Sequence, residues 1–208
     1  MLLNEIETEY HREGYTFIAG VDEAGRGPLA GPVVAAAVIL PETYYDGNIN
    51  DSKKLTDTKR RELFSEISKH ALAIGVGVVS ASEIDEMNIY AATQVAMELA
   101  LSNLHHSYNL VLSDAMPLEN QSVKVIKIIK GDQKVQAIAA ASIIAKVTRD
   151  DLMLELDKTY PMYGFGRHKG YATKEHVEAL RKYGPLQGIH RYSYEPVKSL
   201  QYQQMKLF

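Results

Sequence analysis

The sequence predicts an α/β protein with a central sheet and a helical C-terminal portion. Short apolar runs bounded by glycine and proline come first, as expected of buried strands. Further apolar runs then alternate with segments in which apolar residues recur every three or four positions, which is typical of helices. The length of 208 residues suits one domain with a sizeable core.

Five apolar segments are predicted strands, and their ends carry acidic residues. The segments are 16–21, 33–40, 72–79, 110–112 and 123–129. We expect the first strand to break where Asp22 and Glu23 follow it, because a glycine-rich turn comes next. Asp114 follows the fourth strand and Asp132 follows the fifth.

The predicted helices have recognisable ends. Ser80 and Glu83 match a capping box that opens a helical stretch to about residue 104. A surface helix is predicted over 57–70, a long helix over about 133–160 that Pro161 ends, and a short helix over 173–183. A glycine-rich basic loop at 163–171 separates the last two. The sequence shows no internal repeat, low-complexity segment or clear linker.

Composition excludes several classes of protein and favours an anionic partner. The chain has no cysteine, which excludes disulfides, thiolate metal sites and a cysteine nucleophile. The first residues lack a signal-peptide pattern and no apolar run could span a bilayer, so we expect a cytoplasmic protein. Residues 1–119 carry 8 basic and 18 acidic residues, whereas residues 120–208 carry 15 and 8. This asymmetry suits nucleic acid, although two solvated faces could also produce it.

The four acids at strand ends, Asp22, Glu23, Asp114 and Asp132, predict a site for divalent cations. Ligands of open α/β sheets collect outside strand ends, and clustered carboxylates need a cation to stay ionised. Mg²⁺ and Mn²⁺ prefer such oxygen ligands, and two ions could clamp a phosphodiester during hydrolysis. Asp132 could instead cap the long helix, and Asp114 could bond its own turn.

The segment that follows the first two acids exposes backbone groups. In Gly25-Arg26-Gly27, glycine allows another backbone to approach closely, so the turn could bind a ribose 2′-hydroxyl while Arg26 contacts a phosphate. A tight turn that only reverses the chain is the alternative.

The sequence strongly resembles ribonuclease HII. The matching motifs are VDEAGRGPLAGPVVAAAV near the N-terminus, DSKKLT at 51–56, SDA at 113–115, KGDQKVQAIAAASIIAKVTRD at 130–150, GRHKGYAT at 166–173 and HRYSYEPV at 190–197. The resemblance implies an RNase H-like mixed central sheet flanked by helices, in a single catalytic domain over 1–208. A sheet-and-helix core would occupy 1–160 and a C-terminal, substrate-binding helical region 161–208.

The resemblance also implies an activity and its residues. The family cleaves the RNA strand of RNA–DNA hybrids and incises 5′ to ribonucleotides embedded in duplex DNA, with divalent metal, leaving a 3′-hydroxyl and a 5′-phosphate. Its acidic quartet corresponds to Asp22, Glu23, Asp114 and Asp132, with two ions, and its 2′-hydroxyl-binding element to Gly25, Arg26 and Gly27. Its junction-stacking tyrosine corresponds to Tyr171, and basic positions near the phosphates to Lys53 and Lys146.

The chain ends QMKLF, which resembles the peptide that docks bacterial repair proteins on the sliding clamp. Gln204, Leu207 and Phe208 would make those contacts, although the tail could instead pack on the domain. We expect a monomer. The alternative functions are ribonuclease HIII, another RNase H-like nuclease that acts on DNA, and a nucleic-acid-binding module without activity.

Overall fold

A computed structural model describes residues 5–50, 52, 55–119 and 121–200. Contacts divide the chain into two compact units. The sheet unit comprises Met1–Ala24, Val34–Val78 and Gln94–Val147, and the second unit comprises Gly25–Val33, Val79–Thr93 and Thr148–Phe208. Lys53 and the tail residues Gln204, Leu207 and Phe208 lie outside the described residues.

The described helices and strands follow the predicted order, apart from α1 and α6, which were not predicted from the sequence. They are α1 (Glu5–Arg12), β1 (Ile18–Ala24), β2 (Val33–Ile39), α2 (Asp57–His70), β3 (Ala73–Val79), α3 (Ala81–Met87), α4 (Ile89–Ser102), β4 (Leu110–Asp114), β5 (Lys124–Ile128), α5 (Gln136–Thr159), α6 (Phe165–His168) and α7 (Lys174–Tyr183). The capping box of Ser80 and Glu83 is present at the start of α3.

The sheet is mixed, with the strand order β3-β2-β1-β4-β5. β1 runs antiparallel to β2 and parallel to β4, and β4 runs parallel to β5. Helices flank the sheet, as expected of an RNase H-like fold. The central strands are almost wholly buried, as strands covered on both faces are. β5 lies at an edge of the sheet and exposes lysines there, which discourages pairing with another chain.

The interruption predicted within the first strand is wrong. β1 continues through Asp22 and Glu23 to Ala24, because its ladder with β2 extends as far as the pair Ala24 and Val34. Both acids therefore lie inside a paired strand, and neighbouring side chains of a regular strand point to opposite faces.

The helix boundaries also differ from the prediction in two places. Asn88 has a positive φ of 74° and divides the predicted helix after residue 80 into α3 and α4. The long helix α5 starts at Gln136, after a 3₁₀ turn at Gly131–Gln133 that holds Asp132. In addition, the predicted loop at 163–171 contains the short helix α6.

Close packing of α5 against β1 depends on Gly20. A Cβ atom at Gly20 would lie 2.2 Å from the carbonyl carbon of Ala137, so a larger residue would push the helix from the strand. The apolar face of α5 then forms much of the core of the sheet unit, with Ile138, Ile144 and Val147 buried. This packing fixes the strand that carries Asp22 relative to the start of α5.

The second unit has its own apolar clusters. One contains Met153, Tyr163 and Phe165, and the other contains Leu29, Leu180 and Val197. No helix in the described part of the chain is long and apolar enough to cross a membrane.

Candidate metal and nucleic-acid site

Three of the four predicted acids come together in the sheet unit. One carboxylate oxygen from each of Asp22, Asp114 and Asp132 lies within 4.8 Å of the others. Asp22 comes from β1, Asp114 ends the adjacent parallel strand β4, and Asp132 lies in the 3₁₀ turn before α5. Residues that are far apart in sequence therefore form one oxygen-rich cluster.

A hydrogen bond links two elements of this cluster, and two residues near its acids have strained backbone. Oδ1 of Asp114 accepts the N–H of Gly131 at 2.8 Å, which ties the end of β4 to the turn that carries Asp132. Ala115 and Lys130 both adopt positive φ values, of 53° and 57°. Non-glycine residues rarely adopt this conformation outside turns and functional sites.

Asp22 is buried among like charges. Its side chain is 3% exposed, and burial, followed by the neighbouring carboxylates of Glu23 and Asp114, raises its pKa well above the ordinary range. The hydroxyl of Ser142 and the N–H of Glu23, 2.7 Å from Oδ1, partly oppose that rise in pKa. Ser142 also lies 2.8 Å from the hydroxyl of Ser52.

The residues present fit a divalent cation. Three convergent carboxylates form a hard, all-oxygen donor set of the kind that Mg²⁺ and Mn²⁺ prefer. A cation there would offset the repulsion that raises the pKa of Asp22.

Glu23 is not one of the three convergent acids. It follows Asp22 along β1, where neighbouring side chains of a regular strand alternate in direction, and it is half-buried. Its charge still contributes to the raised pKa of Asp22. Its place in the quartet therefore remains a prediction.

Glu7, and not Asp132, caps the start of α5, so the structural alternative considered for Asp132 does not hold. The carboxylate of Glu7 accepts the N–H groups of Gln136 and Ala137, at 2.8 and 3.3 Å, and so caps the helix from a distant part of the chain. Burial raises the pKa of Glu7 to about 7, although these two N–H donors act against the rise. No local sequence signal connects Glu7 with this helix.

The glycine-rich segment lies in the second unit. Gly25 is buried with a φ of +99°, and a Cβ there would lie 2.1 Å from Nε of Arg149. Arg26 and Gly27 are exposed. A Cβ at Gly27 would meet only Cε1 of Tyr171, at an ordinary 3.9 Å, so this glycine borders the tyrosine ring.

The other candidate residues that the structure describes differ in their exposure to solvent. The Tyr171 side chain is 45% exposed, as a stacking platform requires. Lys146 lies on α5 in the sheet unit and is half-buried. His168, which is not one of the candidates, is buried in the same segment as Tyr171, and its ring nitrogens bond the carbonyl oxygen of Tyr163 and the N–H of Gly170.

Three side chains that our sequence interpretation did not single out connect the loop at 25–33 with the rest of the second unit. The guanidinium of Arg149 donates to the carbonyl oxygens of Ala30, Pro32 and Lys169. Arg191 and Tyr194 donate to further loop carbonyls. Both arginines are almost completely buried, at 1% and 0% exposure. In the sequence, the only indication that these three residues have a role was that they lie within the motifs that carry the family resemblance.

Comparison with known proteins identifies the family. The profile of the family described as Ribonuclease HII matches residues 19–197. A ribonuclease HII from Acetivibrio thermocellus is 54% identical over 188 residues, which are 90% of this chain and 73% of that protein. The ribonuclease H2 structure from Pyrococcus horikoshii has a TM-score of 0.77 at 28% identity, covering 91% of this chain and 99% of that one.

A further solved structure is the PCNA:RNase HII complex from Archaeoglobus fulgidus. It has a TM-score of 0.70 at 27% identity and covers 84% of this chain and 93% of that one. The fold and acidic cluster are those of an RNase H-like hydrolase. The chain belongs to the ribonuclease HII family, whose members are nucleic-acid-binding endoribonucleases that cleave the RNA of RNA–DNA hybrids.

Proposed function

We propose that this protein is a divalent-metal-dependent endoribonuclease with two linked activities. It cleaves the RNA strand of hybrids, and it incises duplex DNA 5′ to an embedded ribonucleotide, leaving a 3′-hydroxyl and a 5′-phosphate. The convergence of Asp22, Asp114 and Asp132 in a member of this family is the observation that carries the proposal. Such incision would serve the removal of ribonucleotides from DNA.

The acidic residues would hold two Mg²⁺ or Mn²⁺ ions during catalysis. Asp22, Asp114 and Asp132 supply the convergent oxygens, and Glu23 is the proposed fourth member. Divalent cations at such a site would lower the pKa of bound water and neutralise charge that develops on the phosphate. The bond between Asp114 and Gly131 and the hydroxyl of Ser142 on Asp22 keep the carboxylates in place before the substrate arrives.

The loop at 25–27 and Tyr171 would bind the ribonucleotide. Gly25 gives the loop its shape, exposed Gly27 leaves room for close backbone approach, and exposed Arg26 would contact a phosphate. Tyr171 would stack on the sugar at the RNA–DNA junction. Lys146 and Lys53 are the proposed phosphate contacts, and the basic second half of the chain supports binding of an anionic backbone.

The alternatives make different predictions for the same assay. The match to the Ribonuclease HII profile favours that family over ribonuclease HIII. A nuclease that acts on DNA would cut an all-DNA duplex, and a binding module would cut nothing.

The test uses a labelled DNA duplex with one embedded ribonucleotide, together with a long hybrid and an all-DNA duplex. With Mg²⁺ or Mn²⁺ we expect one cut 5′ to the ribonucleotide, cleavage of the hybrid and no cut in all-DNA. EDTA should abolish both reactions. A folded protein that cuts neither RNA-containing duplex would contradict the proposal.

We also propose that the C-terminal tail binds a sliding clamp. The PCNA complex of the Archaeoglobus fulgidus relative and the QMKLF ending support this proposal. Gln204, Leu207 and Phe208 would be the contacting residues. Removal of the last five residues should abolish clamp binding in a titration and leave cleavage of free duplexes intact. Unchanged clamp affinity would refute the proposal.

We infer that the enzyme acts as a monomer in the cytoplasm. The absence of cysteine suits a reducing compartment, and nucleic acid is the expected substrate. Light scattering across a range of protein concentrations would detect a dimer.

A further inference from the structure

Arg191 holds the inner side of the loop at 25–33. Its Nη2 donates to the carbonyl oxygens of Gly25 and Gly31, at 2.6 and 2.9 Å, and its Nε donates to Gly31 at 3.1 Å. Its Nη1 donates to the carbonyl oxygen of Arg26 at 2.9 Å. One fully buried guanidinium thus fixes three carbonyl groups of the same loop.

A second donor reaches one of these carbonyl groups. The hydroxyl of Tyr194 donates to the carbonyl oxygen of Arg26 at 2.8 Å. The ring of Tyr194 also lies under the guanidinium of Arg191, with its centroid 5.1 Å from Cζ. The Arg26 carbonyl is therefore held from two directions, and the two side chains that hold it support each other.

This arrangement determines the direction of the next N–H group. In a trans peptide, the C=O of one residue and the N–H of the next point in opposite directions. Because the Arg26 carbonyl points towards Arg191 and Tyr194, the N–H of Gly27 points away from them. Gly27 is exposed, and its N–H has no hydrogen-bond partner within the described residues.

The surroundings of Gly27 suit an acceptor oxygen. Arg191 places a positive charge behind the Arg26–Gly27 peptide, and Arg149 adds another below Gly25. Both arginines bond to backbone carbonyl oxygens rather than to a neutralising carboxylate in the part of the chain described. The ring of Tyr171 borders Gly27 on one side.

We propose that Arg191 and Tyr194 are positioning residues, which hold the Arg26 carbonyl inward so that the Gly27 N–H is fixed as a donor to an oxygen of the nucleic acid. This inference rests on the proposed function of the 25–27 loop. The acceptor is either the ribose 2′-oxygen or a backbone phosphate oxygen, and the two can be separated by experiment.

The test measures equilibrium binding in EDTA, where no cleavage occurs. Each protein is titrated with a duplex that contains one ribonucleotide and with the same duplex in all-DNA form. The variants are Tyr194→Phe, which removes only the hydroxyl, and Arg191→Lys, whose ammonium cannot span three carbonyls. Tyr192→Phe is the matched control, because its hydroxyl is not among the groups that bond the loop.

We expect Tyr194→Phe to weaken binding about fivefold, as loss of one hydrogen bond to a positioned group does, and Arg191→Lys to weaken it more. A loss confined to the ribonucleotide duplex identifies the 2′-oxygen as the acceptor, and an equal loss on both duplexes identifies a phosphate. Thermal unfolding establishes that Tyr194→Phe is folded, so an Arg191 variant that fails to fold leaves the test intact.

Unchanged affinity of folded Tyr194→Phe for both duplexes, or an equal loss in Tyr192→Phe, would overturn the positioning role. Failure of the proposed function looks different, because the unaltered protein would then neither prefer nor cleave the ribonucleotide duplex.

Discussion

The acidic cluster of the sheet unit and the loop at 25–33 of the second unit balance their charges in different ways. In the cluster, Asp22 is buried beside other carboxylates, and burial, followed by repulsion from those carboxylates, raises its pKa. In the loop, buried Arg149 and Arg191 are surrounded by carbonyl oxygens that accept their hydrogen bonds. We therefore propose that a divalent cation completes the cluster, whereas hydrogen bonds within the protein already hold the loop in shape. Four predictions test this contrast.

Replacement of Asp22 by Asn should have the largest effect. We expect cleavage to fall by at least about a thousandfold, because a ligand of the proposed cations is lost. Thermal stability should rise, by on the order of 1 kcal/mol, because one buried repulsive charge is removed.

Asp151→Asn is the matched control, since Asp151 is exposed on α5. Mg²⁺ or Mn²⁺ should raise the melting temperature of the unaltered protein more than that of Asp22→Asn. Full activity of Asp22→Asn would exclude the site.

Alanine substitutions at Gly25 and Gly27 should have different effects, because Gly25 sets the conformation of the loop whereas Gly27 borders the proposed substrate. Gly25→Ala places a Cβ against Arg149 at a φ of +99°, so we expect a loss of about 2 kcal/mol or more in unfolding free energy. Gly27→Ala has room, and its stability should change by less than about 1 kcal/mol.

The activity of Gly27→Ala should nevertheless fall about tenfold, because the methyl group would stand where the nucleic acid approaches. Urea unfolding and the single-ribonucleotide assay measure the two effects. If Gly27→Ala retains full activity, close approach at this residue is not required.

Two buried histidines should make the second unit sensitive to acid. The N–H of Leu186 donates to Nδ1 of His190, so Nε2 of His190 carries the proton and donates to Nε2 of His176 at 3.1 Å. Nδ1 of His176 then donates to the carbonyl oxygen of Tyr171 at 2.9 Å. If the acceptor nitrogen of either ring were protonated, it would point at the N–H group from which it now accepts, and that hydrogen bond would be lost.

Burial accordingly lowers the pKa of His176 to about 4 and that of His190 to about 3. Both values lie below the unfolded value, so the stability from these groups is present above about pH 6.5 and is lost as the pH falls towards the folded values. His190→Asn should reduce the loss of unfolding free energy between pH 7 and 5 by about 1–2 kcal/mol. Exposed His105→Asn serves as the control, and an identical pH profile in His190→Asn would contradict the prediction.

Glu7 should produce an effect of opposite sign in the sheet unit. Its folded pKa of about 7 lies above the unfolded value, so its stability is present below about pH 4.5 and is lost as the pH rises through 7. Glu7→Gln should remove on the order of 1 kcal/mol of that decline, measured by urea unfolding at pH 5 and 8. Glu9→Gln on the same helix should leave the decline unchanged.

Local sequence patterns were sufficient for most of the element order, although α1, α6 and the division between α3 and α4 were not predicted. The capping box at Ser80, the end of α5 before Pro161 and the succession of strands follow from residue type and spacing over a few positions. The continuation of β1 through Asp22 and Glu23 was missed, because it depends on pairing with β2 rather than on the glycine that follows.

The sequence by itself determined the α/β class, the family and the positions of the acids. The tertiary structure decided which side chains meet. Glu7 caps a helix 129 residues away, and Arg191 holds a carbonyl 166 residues away, so neither contact has a local pattern. It also decided that Asp22, Asp114 and Asp132 bring carboxylate oxygens together. The physical reason is that the convergence of the acids depends on strand register and on the approach of α5 to β1 at Gly20, which are set by packing across the sheet. The contact of Arg191 depends instead on packing within the second unit.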